Sequence, residues 1–196
     1  MRLILASASP RRAELLRAAG YSFETVVVDV DERVLPREAP EEYVRRLAGE
    51  KSARAASLVS GRAAPPARDA AILLAADTAV IVDDEILGKP GGDDDARRML
   101  RRLSGREHEV MTGVSLRTAE VELGSVETTR VEFARLSSDD VEWYVRSGEG
   151  RDKAGGYAIQ GLASRFIPRI SGSYSNVVGL PVARVAMLLD ELGCRP

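Results

Sequence analysis

An apolar run with one carboxylate at its centre constrains this chain more than any other segment. The run covers residues 73–82, and Asp77 is the one charged residue within it. Apolar residues on both sides of a single acid are typical of a strand buried on both faces, not of a solvent-facing segment. We therefore predict a buried strand that holds Asp77 in the interior of the fold.

The residues after this strand predict a hairpin that brings a lysine back towards the level of Asp77. Residues 83–85 have the composition of a turn, residues 86–87 form the return strand, and Lys89 follows. A buried carboxylate near a lysine is either a structural ion pair or part of a reaction centre. The hairpin alone leaves both interpretations open.

A second candidate site follows the first predicted strand, at residues 2–6. Residues 7–9 form a tight loop, and a helix is predicted over residues 10–19 with Ser9 as its N-cap. Ser7, Ser9 and the helix N-terminus offer hydroxyl groups, backbone N–H groups and a positive dipole end to an anion. Arg11 and Arg12 oppose the helix dipole, which favours a bound phosphate over a capped surface helix with solvated arginines.

Acidic residues end the next predicted strand, at residues 21–30. Asp29, Asp31 and Glu32 suit a divalent cation, and they suit an ordinary solvated turn equally well. A helix predicted over residues 40–58 then carries Lys51, and a surface loop is predicted over residues 60–69.

The remaining elements follow from periodicity and capping signals. A helix begins at Asp93, two alternating strands cover residues 109–118 and 121–136, and a Ser137/Asp140 capping box opens the next helix. The acidic residues 93–95 match the dipole of their own helix and are interpreted as helix electrostatics. The last helix begins at Pro181 and ends at Gly193.

Residues 152–161 combine a cation, two glycines and an amide. Lys153 supplies the cation, Gly155 and Gly156 permit positive φ, and Gln160 ends a predicted short apolar strand with both a donor and an acceptor. Residues 172–176 read as a polar turn. His108 is the one histidine, and we interpret it as structural because nothing near it resembles a nucleophile elbow.

The net charge limits the kinds of molecule that the chain can bind, and the cysteine count limits its cross-links. A net charge of −2 argues against broad binding to nucleic acid or to a membrane surface, so any basic cluster is aimed at a small anion. The single cysteine, Cys194, excludes an internal disulfide. With no signal peptide or transmembrane run in the sequence, we expect a cytoplasmic protein; a homodimer is compatible with the sequence.

Six segments together resemble the Maf family of nucleoside triphosphate pyrophosphatases. They are LASASPRR at residues 5–12, ADT at 76–78, LGKP at 87–90, DKAG at 152–155, IQG at 159–161, and GSY at 172–174 leading to VGLP at 178–181. The resemblance implies one domain over residues 1–196 with an α/β fold, an elongated mixed sheet flanked by helices, and two lobes around a central cleft, as in inosine triphosphate pyrophosphatases.

The resemblance also implies a reaction and a set of site residues. The reaction is hydrolysis of dTTP or UTP between the α- and β-phosphates, with Mg²⁺ or Mn²⁺. Asp77 falls on the general-base position, and the charged positions of the site fall on Arg12, Lys51 and Lys89. Glu32, with Asp77, would hold the metal. Arg11, Thr78 and Gln160 fall on positions tied to substrate choice, with Ser7, Ser9 and Lys153 as further substrate contacts.

Two alternatives stay open at this stage. The 7-methyl-GTP branch of the family carries a motif similar to Ser-Asp-Gln at the positions of Ala76, Asp77 and Thr78, and a glutamate at the position of Gln160. These differences place this chain with the dTTP/UTP branch. The second alternative is a nucleotide-sensing regulator of cell division that binds without turnover. The intact Asp77 and Lys89 favour an enzyme.

Overall fold

The computed structural model describes residues 2–60 and 71–195, and within them it defines seven strands and six helices. In chain order they are β1 (Arg2–Ala6), α1 (Pro10–Ala18), β2 (Glu24–Val26), α2 (Pro40–Ser60), β3 (Ala71–Val82), β4 (Glu85–Leu87), α3 (Asp93–Leu103), β5 (Glu107–Arg117), β6 (Glu122–Glu132), α4 (Ser138–Ser147), β7 (Arg169–Ser171), α5 (Tyr174–Val178) and α6 (Val182–Glu191). None of these helices is long and apolar enough to cross a membrane.

The seven strands described form one mixed sheet. Its order is β2-β1-β3-β5-β6-β7, with β4 paired to β3. Strand β1 is parallel to both β2 and β3, whereas β4 is antiparallel to β3 and β7 is antiparallel to β6. Strand β3 is buried along almost its whole length, as the apolar run predicted. The predicted α/β fold with a mixed sheet flanked by helices is therefore confirmed.

The chain divides into two compact units. The first unit contains Met1–Asp77, Thr112–Glu127 and Gly179–Pro196, and the second contains Thr78–Met111 and Thr128–Val178. Each unit has its own apolar core: α1, α6 and β1 contribute to the core of the first, and α3, α4 and the end of β3 contribute to that of the second. The single domain over residues 1–196 and the central cleft stay predictions.

Local sequence signals specify several of the boundaries. Helix α4 begins with the predicted capping box, in which Ser137 and Asp140 satisfy each other's backbone N–H groups, and it ends at Gly148 with φ 71°. Gly155 and Gly156 both have positive φ, as predicted, and a Cβ at Gly155 would lie 2.9 Å from the side chain of Val80.

Three local predictions are wrong. The strand predicted over residues 21–30 is confined to Glu24–Val26, because β2 pairs only with the last three residues of β1. No strand is defined before Gln160 within the described residues: 3-10 turns cover Ala154–Gly156 and Leu162–Phe166, and although Tyr157 between them is extended, the chain turns at residues 159–160. The polar turn at residues 172–176 gives way to α5, whose Asn176 is fully buried. Most of the loop predicted over residues 60–69 lies outside the described residues.

His108 lies in the apolar core of the second unit, in agreement with its structural interpretation. Its ring is 3% exposed, its Nε2 lies 2.7 Å from the hydroxyl of Tyr157, and it contacts Phe133 edge-to-face. The other ring nitrogen, Nδ1, is buried without a hydrogen-bond partner within the described part of the chain. Burial, with a smaller contribution from Arg106, lowers the pKa of His108 to about 4.

This lowered pKa predicts a loss of stability as the pH falls from about 6.5 towards 4. In that interval the unfolded chain binds a proton that the folded chain does not, so acidification favours unfolding. We expect the free energy of unfolding to decrease by about 2 kcal/mol between pH 7.5 and pH 5. Urea unfolding at successive pH values measures this slope, and His108→Gln should flatten it. An equal slope in the variant would contradict the prediction.

Candidate active site

One lysine side chain joins two carboxylates in the first unit. Nζ of Lys51 lies 2.6 Å from Oδ1 of Asp77 and 2.6 Å from Oε1 of Glu32. The side chains of Asp77 and Lys51 are only 10% and 11% exposed, whereas that of Glu32 is 44% exposed. The cluster is therefore enclosed around Asp77 and accessible from the side of Glu32.

Three segments far apart in the sequence supply these side chains. Asp77 lies in β3, Lys51 in α2, and Glu32 in the irregular segment between β2 and α2. Helix α2 approaches the sheet so closely that a Cβ at Gly113 of β5 would lie 2.1 Å from the carbonyl oxygen of Val44. Only glycine permits that approach, which holds α2 firmly against the sheet.

Arg12 lies beside this cluster, in the first turn of α1. Its Nε donates to the carbonyl oxygen of Gly179 at 2.8 Å, and its Nη1 donates to that of Ala76 at 2.7 Å and to Oγ of Ser7 at 3.4 Å. These acceptors fix the guanidinium next to the residue that precedes Asp77. Burial lowers the pKa of Arg12, and the neighbouring Asp77 partly offsets this effect.

The serine loop before α1 differs in detail from the prediction. Ser9 occupies the N-cap position, but its side chain makes no capping hydrogen bond. Instead, Oγ of the buried Ser7 accepts the backbone N–H of Ser9 at 3.1 Å. Arg11 is half-buried in the first turn of α1. The predicted substrate contacts of Ser7, Ser9 and Arg11 stay predictions.

The remaining predicted site residues lie in the second unit. Thr78 is half-buried in β3, two residues before Val80, which pairs with Leu87 of β4, and Lys89 is exposed two residues after Leu87. Nζ of Lys153 binds the carbonyl oxygen of Glu149 and the carboxylate of Asp152, both close in sequence. The substrate roles of these residues stay predictions.

Gln160 is exposed and lines a groove of about 460 Å³ in the second unit. The apolar side chains of Ile159 and Ile170 and the ring of Tyr174 share this groove, with Arg169 at its edge. An amide among apolar and aromatic groups is a common arrangement in sites for small ligands.

Tyr43 is a site residue that the sequence analysis missed. Its hydroxyl donates to the main-chain carbonyl of Glu32 at 3.0 Å. Tyr43, Leu47 and Lys51 recur every fourth residue of α2, which places them on one helix face. The apolar periodicity of α2 predicted Tyr43 to be a core residue. Only its position on the same helix face as Lys51 could have indicated that it lies near the site.

Comparison with known proteins identifies relatives over the whole length. The family described as Maf-like protein matches residues 2–192. The dTTP/UTP pyrophosphatase of Anaeromyxobacter dehalogenans strain 2CP-C is 50% identical, and the alignment covers 98% of this chain and 94% of that protein. The dTTP/UTP pyrophosphatase of Vibrio cholerae is 46% identical, with 97% of each chain covered.

A solved structure supports the fold alone. The Ham1 protein of Staphylococcus aureus superposes with a TM-score of 0.51 at 14% sequence identity, covering 98% of this chain and all of that one. At this identity the likeness extends to the arrangement of helices and strands and not to the chemistry of the site.

The shared ammonium of Lys51 predicts a specific pattern of stability. Lys51→Met leaves two adjacent carboxylates without their common cation, and we expect it to lower the free energy of unfolding by about 2–4 kcal/mol. The double variant Lys51→Met/Asp77→Asn should recover part of this loss because one of the repelling charges is gone. Urea unfolding at pH 7 measures both effects.

Lys89→Met is the matched control, because it makes the same lysine-to-methionine substitution at an exposed position. It should change the free energy of unfolding by about 0.5 kcal/mol or less. If Lys51→Met and Lys89→Met have the same small effect, the ion-pair cluster does not contribute to folding.

Proposed function

Because the chain belongs to the Maf-like protein family, we propose that it hydrolyses dTTP and UTP between the α- and β-phosphates, releasing a nucleoside monophosphate and pyrophosphate. The observation that carries this proposal is the cluster of Lys51, Asp77 and Glu32, with Arg12 beside it. Removing charged groups from water costs free energy, and clusters of acids and bases around an enclosed carboxylate occur preferentially at functional sites.

The charges of the first unit suit a triphosphate. At neutral pH a nucleoside triphosphate has about four negative charges, which Arg12 and Lys51 can neutralise in part. Arg12 is already oriented by three acceptors, so little side-chain entropy is lost when a phosphate binds. Lys89 of the second unit is assigned to the same role on the resemblance alone.

The acids of the cluster fit a divalent metal. Asp77 and Glu32 both contact the same nitrogen, so their nearest oxygens are separated by at most twice the 2.6 Å contact distance. Two carboxylates are the usual protein contribution to an Mg²⁺ site whose other ligands are phosphate oxygens and water. No group of three or more His, Cys, Asp or Glu side chains suited to a metal occurs within the described residues.

We therefore assign Glu32 and Asp77 as the residues that would hold Mg²⁺ or Mn²⁺. When bound, such an ion supplies positive charge that stabilises the developing pyrophosphate. Within the chain itself, Lys51 lies against both carboxylates and is placed to donate to a phosphate oxygen on the exposed side of Glu32. This assignment rests on the chemistry of the two acids and on their proximity.

Asp77 is proposed as the general base. It lies on a central strand, is largely enclosed, and has one oxygen bound by Lys51. A rigid carboxylate in this position can orient a water molecule and accept its proton while the water oxygen attacks the α-phosphorus. The bond from that phosphorus to the bridging oxygen then breaks, and pyrophosphate leaves.

Two further assignments belong to the same proposal. We propose a cytoplasmic location, because a nucleotide-pool activity meets its substrates there. The oligomeric state is proposed as monomer or homodimer, which size-exclusion chromatography with light scattering decides.

The direct test incubates the protein with each triphosphate in turn, in Mg²⁺ or Mn²⁺, and measures pyrophosphate. Release from dTTP and UTP supports the proposal. Binding without release would favour the nucleotide-sensing regulator, and preferential cleavage of 7-methyl-GTP would favour the other branch of the family.

Asp77→Asn tests the general base. The amide keeps the shape of the side chain and loses its basicity, so we expect kcat for dTTP to fall about 100-fold or more while the fold persists. Pyrophosphate release measures kcat, and circular dichroism checks the fold. Turnover within a few-fold of the parent would make Asp77 a structural residue.

Gln160→Glu tests base recognition. The edge of uracil or thymine presents an acceptor, a donor and an acceptor, and an amide can both accept from N3–H and donate to a carbonyl. A carboxylate loses the donation, so kcat/KM for dTTP and UTP should fall by about 5- to 150-fold, which is 1–3 kcal/mol. GTP should gain little unless Thr78 is also changed. Unchanged activity on dTTP would exclude base recognition by Gln160.

A further inference from the structure

The segment that carries Glu32 has no regular secondary structure of its own. Residues 27–39 lie between β2 and α2, and within them only a turn at residues 36–37 is defined. Glu32 is the most exposed member of the Lys51 cluster. A carboxylate on such a segment holds its position only if other contacts fix the backbone around it.

The N-terminal part of helix α2 provides those contacts. The hydroxyl of Tyr43 donates to the carbonyl oxygen of Glu32 at 3.0 Å, and Nη2 of Arg46 donates to the carbonyl oxygen of Arg33 at 3.1 Å. Two consecutive carbonyl groups are thus bound by side chains three positions apart on the helix. The backbone is fixed at the residue that supplies the carboxylate and at the next one.

A part-buried ion pair strengthens the same attachment. Arg46 contacts Glu38 at 2.5 Å, and the side chain of Glu38 is only 6% exposed. Glu38 also accepts the backbone N–H of Leu35 at 2.9 Å, which closes the segment on itself. The guanidinium of Arg46 lies 5.7 Å from the centre of the Tyr43 ring, so the two attachments support each other.

Tyr43 remains a hydrogen-bond donor over a wide pH range. Its ring is 8% exposed, and burial together with the charges of Asp77 and Glu32 raises the pKa of Tyr43 to about 12. The hydroxyl therefore stays protonated at any pH at which the chain is expected to function.

We propose that Tyr43, with Arg46, is a positioning residue that sets the carboxylate of Glu32 against Lys51 and Asp77 and thereby determines the affinity of the site for a divalent metal. The inference rests on the proposed function, because it takes Glu32 as a metal ligand. It goes beyond that function in assigning a role to Tyr43, whose hydroxyl donates to the backbone of Glu32 and which is not itself assigned as a ligand of metal or substrate.

Tyr43→Phe is the sharpest test because it removes one oxygen atom and keeps the ring. Calorimetric titration of Mn²⁺ into protein saturated with α,β-methylene-dTTP measures metal affinity without turnover. We expect the Kd for Mn²⁺ to rise about 10-fold or more, the usual effect of removing a group that orients a metal ligand. In turnover assays, kcat at saturating Mn²⁺ should stay within about three-fold.

Tyr21→Phe is the matched control. Tyr21 is equally buried in the first unit, at 7% exposure, and packs in the core beneath α1. Its substitution should leave the Kd for Mn²⁺ unchanged. A similar rise in both variants would show a general effect of lost tyrosine hydroxyls on the fold and would overturn the proposal.

A double-variant cycle shows whether Tyr43 acts through Glu32. In protein that already carries Glu32→Ala, the further change Tyr43→Phe should leave the Kd for Mn²⁺ unaltered, because the ligand that Tyr43 positions is absent. Equal effects of Tyr43→Phe in both backgrounds would overturn the inference.

The two proposals fail separately. If the parent protein binds neither Mn²⁺ nor the analogue, the proposed function is wrong, and the assignment of Glu32 as a metal ligand is wrong as well. If the parent binds both and Tyr43→Phe binds Mn²⁺ equally well, only the positioning role fails. Hydrogen exchange of the Leu35 amide, which donates to Glu38, reports the attachment through Glu38 and Arg46, and it should be faster in Tyr43→Phe because the two attachments support each other.

Discussion

The ammonium group of Lys51 is the interaction on which the first unit depends. It lies at hydrogen-bond distance from one carboxylate of the sheet and one of the segment before α2. Removing a lysine and an aspartate from water costs several kcal/mol for each, and their attraction offsets this cost only with good geometry. The close packing of α2 against β5, with Gly113 under Val44, holds the helix that carries Lys51 against the sheet. A looser helix would leave Asp77 in an apolar strand without its cation.

The topology of the sheet then gathers the other groups at the same edge. Strands β1, β2 and β3 are parallel, so the segments that leave β1 and β2 emerge at the same edge of the sheet. The register that pairs Leu5 with Leu74 sets Ser7 level with Ala76, and Arg12 binds both. Glu32 follows β2 by the same rule. Side chains placed after the carboxyl ends of parallel strands are where α/β proteins commonly bind ligands.

Sequence reasoning succeeded where local chemistry decides the structure. The capping box of α4, the charge pattern of α3 and the apolar run of β3 each depend on neighbours within a few residues, so they could be predicted. The contact of Lys51 with Asp77 spans 26 residues and depends on tertiary packing, and only the resemblance placed Lys51 at the site. Tyr43 was missed for a related reason, since a tyrosine on an apolar helix face has the same sequence pattern whether its hydroxyl is used or not. The strand predicted before Gln160 is wrong because the chain turns at residues 159–160, so the extended conformation of Tyr157 is not continued along the three apolar residues.

The charges of the cluster bear on the form in which a substrate would enter. Arg12 and Lys51 carry two positive charges, and Asp77 and Glu32 carry two negative ones, so these four groups balance in the ligand-free protein. A free divalent cation would approach two existing cations, and a free triphosphate would approach two carboxylates. Both encounters include repulsion within a few ångströms, where screening by salt is weak. A complex of metal and nucleotide presents each charge to its opposite at once: the cation to the carboxylates, and the phosphates to Arg12 and Lys51. In the proposed function, the balanced cluster therefore selects the metal–nucleotide complex over either component alone, and Lys51 is the cation that bridges Asp77 and Glu32 until that complex arrives.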